Sequence, residues 1–219
     1  MSAQLYGDDY FADRLPGRDP KREQEYDREA GLISRWCTSG RVLDVGAGTG
    51  LFLERFPDDR WQKWAVEIAP LARKMLAEKG VALTELASLE TDFDLIIWRG
   101  VYQHLPAPKQ QLATCLARLR PGGLFALLAT PNANSLSMRL FADMPMLDAT
   151  RNTELPTAPE ICTLVKNGGC RVVWQAFPYL RSPYAHPLRD HLHFLQRLCG
   201  RSVRFPFWGN MMEILALRS

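Results

Sequence analysis

The chain has 219 residues, 47% of them hydrophobic and 23% charged. This is the balance of one packed globular domain with room for a small appended lid, and it excludes a disordered or fibrous chain. The net charge of +3 permits an anionic ligand but demands no nucleic-acid partner.

The first forty residues are charged and mixed, punctuated by Tyr6, Tyr10, Phe11 and Tyr26. Within them 23–36 reads as an amphipathic helix with Tyr26, Ala30, Ile33 and Trp36 near one face, stopped by Gly40. From residue 41 the period changes. The apolar run 41–45 reads as a buried strand, 46–50 as a glycine turn and 51–56 as the opening of a helix. A second strand is expected over 64–68, and a second helix over 70–79 with Pro70 in its first turn and Gly80 at its end. Strands follow at 81–85 and 93–98, a helix at 109–119, the turn Arg120-Pro121-Gly122-Gly123, and a fifth strand at 124–130.

Residues 131–156 break this rhythm with several prolines and asparagines and read as an insertion or lid. Thr157 and Glu160 form a capping-box signature that starts a helix running to about 167. A sixth strand is expected at 171–177, a second irregular segment at 178–208 with a helix near 188–198, and a final apolar strand at 210–217. Alternating apolar strands and helices predict an α/β fold, a parallel sheet covered on both faces. Its ligand edge lies beyond the carboxyl ends of the strands.

The glycine turn carries most information. Its spacing is Gly46-x-Gly48-x-Gly50, with Asp44 just before it and Glu67 at the end of the neighbouring second strand. Dinucleotide sites use G-x-G-x-x-G to face a pyrophosphate with a helix N-terminus. A carboxylate at Asp44 repels a pyrophosphate and suits a cationic ligand with a free amino group. Glu67 is placed to accept hydrogen bonds from both hydroxyls of a ribose.

Asp44-Val45-Gly46-Ala47-Gly48-Thr49-Gly50 resembles motif I of the class I S-adenosylmethionine-dependent methyltransferases. Val66-Glu67-Ile68-Ala69-Pro70 resembles their ribose motif, and Phe93-Asp94-Leu95-Ile96-Ile97 with Gln103-His104-Leu105 their fourth-strand motif. Leu119-Arg120-Pro121-Gly122-Gly123-Leu124 resembles the turn before their fifth strand, so four motifs stand in order over 41–130. Further out, the chain looks like the small-molecule methyltransferases with a helical N-terminal lid.

The resemblance implies a Rossmann-like, mostly parallel seven-stranded sheet sandwiched by helices, in the order 3-2-1-4-5-7-6 with the last strand antiparallel. It divides the chain into a helical lid, 1–40, and a methyltransferase domain, 41–219, with insertions or lids at 131–156 and 178–208. It implies S-adenosyl-L-methionine as cofactor. The residues expected to hold it are Asp44, Gly46, Ala47, Gly48, Gly50 and Glu67, with Ile68 on the adenine, Glu85 and Leu86 at the adenine amino group, and backbone near Arg99 at the methionine end.

Methyl transfer is an in-line displacement that needs an aligned nucleophile, exclusion of water and, for a hydroxyl or protonated amine, a base. His104 is the best candidate base, and Tyr102 and Gln103 are candidates to line the same pocket. Between 171 and 208 lie six arginines, no lysine, and Asp190 as the only acid, with His186, His191, His193 and several aromatic rings. Arginines pair with carboxylates and phosphates, so Arg181, Tyr184 and Arg189 are expected to bind an anionic, sugar- or nucleotide-linked small acceptor through O- or N-methylation. Alternatives are an RNA or protein methyltransferase and a non-catalytic, cofactor-binding partner subunit. A nicotinamide-dependent oxidoreductase is disfavoured by the glycine spacing and Asp44.

Nucleic acid is not expected as a partner, and an oligomer is compatible with the sequence. His191 and His193, two apart on a helix, do not converge, so no metal is expected. The five cysteines form no C-x-x-C pair, which argues against a disulfide framework or a zinc site. Residues 1–13 show no leader, and no apolar run is long enough to span a bilayer. A cytoplasmic protein is the expectation.

Overall fold

Seven strands form one sheet in the order β3-β2-β1-β4-β5-β7-β6. They are β1 (Gly40–Val45), β2 (Trp61–Val66), β3 (Ala82–Leu83), β4 (Phe93–Arg99), β5 (Leu119–Pro131), β6 (Cys170–Ala176) and β7 (Met211–Arg218). This computed structural model describes residues 19–89, 92–148, 150, 152–180 and 182–219. β1 pairs in parallel with β2 and β4, and β2 with β3 and β4 with β5 likewise. β7 runs antiparallel to both β5 and β6. The expected order and direction are therefore present.

Alternation along each strand makes two cores. On β4, Ile96 and Trp98 join one cluster with Leu112, Cys115 and Leu116 of α3 (Pro108–Ala117) and with Ile161 and Val165 of α5 (Ala158–Asn167). Leu95 and Ile97 point the other way, into a cluster with Ile33 of α1 (Pro20–Ile33) and Leu76 of α2 (Pro70–Glu78). A strand apolar on both faces is what a sheet covered on both sides requires. Asp94 breaks the run at the edge remote from the cavity. Its Oδ2 accepts from the Arg41 amide at 2.7 Å, and the Arg120 guanidinium lies 3.1 Å from Oδ1.

Several boundaries depart from the sequence reading. α1 begins at Pro20 because Asp19 caps it, accepting from the Lys21 amide at 3.1 Å, and it ends before Trp36, which is exposed. The helix expected over 51–56 is only a 3-10 turn at Leu53–Arg55. Its run is too short to repay helix nucleation, and Pro57 follows. β3 holds two residues instead of five, and a 3-10 turn at Leu86–Ser88 takes over. The 131–156 segment contains α4 (Leu136–Phe141), and the second irregular segment contains α6 (Pro187–Leu198). The capping box forms: Thr157 Oγ1 accepts from the Glu160 amide at 3.3 Å, and Glu160 accepts in return from the Thr157 amide at 3.4 Å.

Candidate functional site

A cavity of about 560 Å³ opens at the carboxyl edge of the parallel strands, a size usual for small-ligand sites. Asp44 reaches it from the end of β1, followed by Gly46, Ala47, Gly48 and Thr49 of the turn. Glu67 and Ile68 enter from the residues just past β2, and Arg99, Gln103 and His104 from the end of β4 and beyond. α1 forms the facing wall with Arg22, Glu25, Tyr26 and Glu29. Glu213 of β7 enters from the far side, and Pro145, Met146, Ser182 and Tyr184 stand at the mouth.

The turn is held by backbone that only glycine tolerates well. Gly46 sits at φ +74°, and a Cβ there would lie 2.5 Å from Val101 Cγ2. Val66 pairs with Val45, which sets Glu67 one residue beyond the strand and level with the turn. Glu67 Oε2 accepts from the Gly48 amide at 2.8 Å, and Oε1 from the amides of Ile68 and Ala69 at 2.7 and 2.9 Å. Two carboxylate oxygens offer about four acceptor positions, so Glu67 keeps capacity for a ligand hydroxyl.

Asp44 is buried, and its Oδ1 has no hydrogen-bond partner among the described residues. Burial pushes its carboxyl up to about 7. Arg99 pulls against this, while Glu67 and Glu29 add to it. Such a group is best satisfied by a positively charged ligand.

The α1 wall is an ionic lattice. Arg99 Nε lies 2.6 Å from Glu29 Oε2, and the Arg99 guanidinium stacks over the Tyr26 ring with its carbon 4.5 Å from the centroid. Arg28 pairs with Glu25 at 2.6 Å and also with Glu213. Glu29 is pushed up to about 7, by burial first, against the pull of Arg99. Oxygens of Glu25, Glu29 and Glu213 lie within 4.8 Å of one another, a spacing that suits a metal ion, but Arg28 and Arg99 engage all three carboxylates.

At the acceptor end, Gln103 Nε2 donates to the Gly100 carbonyl at 3.0 Å and lies 3.1 Å from His104 Nε2. The amide is a donor, so this ring nitrogen accepts, and a proton-accepting role at Nε2 first requires release of Gln103. Gln103 Oε1 is buried with no partner among the described residues. Thr153 fixes the loop, donating from its amide and hydroxyl to the Gln103 carbonyl at 2.8 and 3.2 Å and from the hydroxyl to the Leu105 carbonyl at 2.6 Å.

Of the residues the sequence nominated, Asp44, Gly46, Ala47, Gly48, Glu67, Ile68, Arg99, His104 and Tyr184 line this one cavity. Gly50 does not. It is buried behind the turn, where a Cβ would lie 2.8 Å from Leu76 Cδ2. Glu85 is exposed and Leu86 packs on the core, because β3 ends two residues before Glu85. Neither of these two residues expected at the adenine amino group lines the cavity. Tyr102 is also corrected: it is fully buried, packs against Trp98 with ring centroids 6.0 Å apart, and does not line the cavity. Its place in the 3-10 turn Tyr102–His104 points it into the core beneath. Arg189 is exposed on α6 and away from the cavity, and Arg181 lies outside the described residues.

Sequence reasoning missed Glu25, Glu29 and Glu213. Two signals were present: acids four apart beside Tyr26 on a helix, and a lone acid inside the apolar strand at the end of the chain.

The family model described as a methyltransferase domain matches residues 13–175. A ubiquinone biosynthesis O-methyltransferase of Xanthomonas axonopodis pv. citri (strain 306) is 33% identical over 113 residues, 45% of this chain and 47% of that protein. The chain thus spans about half the length of the curated relatives it matches. Among solved structures, magnesium protoporphyrin IX methyltransferase from Synechocystis PCC 6803 with bound SAH superposes with a TM-score of 0.61 at 15% identity, over 91% of this chain and 84% of that one. The [4+2]-cyclase SpnF superposes with a TM-score of 0.61 at 18% identity, over 88% and 81%. A fold shared by a methyltransferase and a cyclase fixes the architecture and leaves the chemistry to the site.

Proposed function

The chain belongs to the class I S-adenosylmethionine-dependent methyltransferases, a family whose cofactor is S-adenosylmethionine, and from that premise we propose that it methylates a hydroxyl group of a small acceptor. The observation that carries the cofactor end is the buried, unpartnered Oδ1 of Asp44 beside Glu67. A cationic amino acid group satisfies the first carboxylate and a ribose the second. Asp44, Gly46, Ala47, Gly48, Glu67 and Ile68 are the residues that would hold the cofactor, with Arg99 steering its charged end. When bound, the cofactor supplies an electrophilic methyl group on a sulfonium.

The chain's own part is alignment and exclusion of water. Gln103 and His104 present polar atoms at the acceptor end, while Pro145, Met146 and Tyr184 cover the mouth. The Arg22 guanidinium donates to the Tyr184 hydroxyl at 3.2 Å, joining α1 to the opposite rim. Gln103 Oε1, without a partner among the described residues, can accept from the hydroxyl of the methyl acceptor, and His104 takes its proton as the methyl arrives once the Gln103 amide has released Nε2.

An O-methylation reading draws support from relatives named as ubiquinone biosynthesis O-methyltransferases. Of the residues expected to bind an anionic acceptor, Tyr184 lines the cavity, Arg189 stands outside it and Arg181 lies outside the described residues. The wall instead holds Glu25, Glu29 and Glu213, which favours, as a second reading, a cationic amine acceptor. The test is labelled-methyl transfer from S-adenosylmethionine to panels of neutral phenols, carboxylated phenols and amines. Turnover of hydroxyl acceptors that falls with Gln103→Leu and His104→Ala, at unchanged cofactor affinity, supports the proposal. Turnover confined to amines moves it to the second reading, and no transfer to any panel overturns both.

A further inference from the structure

α6 is built inside out. Its inward side carries Asp190, His193, Phe194 and Arg197, and its outward side carries Leu188, Leu192, Leu195 and Leu198. These leucines are 91%, 54%, 58% and 56% exposed. At 100° per residue they fall on one face of the helix, an apolar stripe turned to solvent.

The orientation is fixed by specific contacts. Asp190 is buried, and its Oδ2 accepts from the Tyr179 hydroxyl at 3.0 Å and from the His186 amide at 2.7 Å. Phe194 stacks on Phe207 at 4.8 Å between centroids and meets Phe141 of α4 at 5.6 Å. Arg197 reaches Asp143 at 3.4 Å. Turning the leucines inward would break all of these at once. A large apolar surface held outward marks an interaction site.

The charge around the stripe says what the surface meets. Arg189 on α6 and Arg201 just past its end are exposed, Arg204 is drawn inward to Asp143 at 3.2 Å, and from 171 to 208 the only acid in the sequence, Asp190, is buried. Exposed leucines flanked by arginine, on a segment with no exposed acid among its described residues, are the pattern of a helix lying in the interface of an anionic bilayer. A second copy of the chain fits less well, because self-pairing of this face would bring arginines together. With twelve residues α6 is about 18 Å long, so it lies on a membrane and does not cross it.

We propose that α6 docks the protein on an anionic phospholipid surface, leucines in the acyl boundary and arginines at the headgroups. Tyr184 of the cavity mouth lies three residues before α6, so docking brings the mouth to the lipid surface, where a lipid-soluble acceptor enters. The docking claim does not depend on the acceptor chemistry.

The test is flotation with vesicles of phosphatidylcholine alone and of phosphatidylcholine mixed with phosphatidylglycerol. The protein is expected to float with the mixed vesicles and about tenfold less with the neutral ones or in high salt. The triple variant Leu188→Ser, Leu192→Ser, Leu195→Ser is expected to lose about tenfold or more of that binding with its melting temperature retained, since the replaced side chains face outward. Arg189→Glu with Arg201→Glu weakens binding to the mixed vesicles only. Failure of the unaltered protein to float, or equal flotation of the triple variant, overturns the proposal. So does a dimer, seen by sedimentation, that the triple variant dissolves.

Discussion

Arg99 and Glu29 meet across the cavity, Nε to Oε2 at 2.6 Å, so the end of β4 and the N-terminal helix close on each other through a charge-assisted hydrogen bond. The contact places a guanidinium among Glu29, Asp44 and the ring of Tyr26. It pulls both carboxyls down against the larger upward push of burial.

Asp44 and Glu29 both stand at about 7 in the folded chain, above ordinary values of 3.8 and 4.5. Raised carboxyl values add stability that is complete below those ordinary values and is lost as pH rises through about 7. Melting of the ligand-free chain is therefore expected to fall over that interval. A cationic ligand binds the ionised Asp44, so cofactor affinity moves the other way, weakening by up to about tenfold per pH unit below 7. Calorimetric titration against pH checks this. Asp44→Asn is expected to flatten the profile, and a flat profile in the unaltered chain refutes the assignment.

Glu67→Gln keeps the shape of the side chain but puts an NH2 group against a backbone N–H that now donates to a carboxylate. Cofactor affinity is expected to drop by about tenfold to a hundredfold. A change under about threefold in equilibrium binding would mean that the ribose contact lies elsewhere.

Gly46→Ala forces a Cβ into Val101 at a backbone angle of +74°. The strain is on the order of 1–3 kcal/mol. A lowered melting temperature together with loss of cofactor binding is expected, because the displaced turn also carries the Gly48 amide.

Tyr102→Phe removes a buried hydroxyl that has no hydrogen-bond partner among the described residues. Burial holds that phenol well above its usual range, so it is expected to keep its proton near neutral pH. The variant is expected to melt higher, by roughly 1 kcal/mol of stability, with turnover unchanged. Impaired turnover at full stability would return Tyr102 to the reaction.

The sheet was legible because its signals are local. Apolar runs mark β1, β4 and β5, Gly40 and Gly46 bound β1, and Pro70 and Gly80 bracket α2. The glycine turn was legible for the same reason. What the sequence hid depends on pairs distant in the chain: Arg28 with Glu213, and Arg99 with Glu29, are separated by 185 and 70 residues. Glu85 lies away from the cavity because β3 is cut short, and nothing in 81–85 distinguishes a two-residue strand from a five-residue one. The arginine-rich third drew attention to its charges, and the leucines four and three residues apart on α6, which the structure leaves exposed, went unremarked.

β7 is the last of the seven strands in chain order, yet it lies between β5 and β6 rather than at an edge. Until it is synthesised, β5 presents an open hydrogen-bonding edge, the kind of surface on which chains associate wrongly. Glu213 arrives with the same strand, so Arg28 gains its partner across the cavity only then. A growing chain therefore completes its sheet and its cavity in one late step, and a cofactor that binds the finished cavity rewards that step alone.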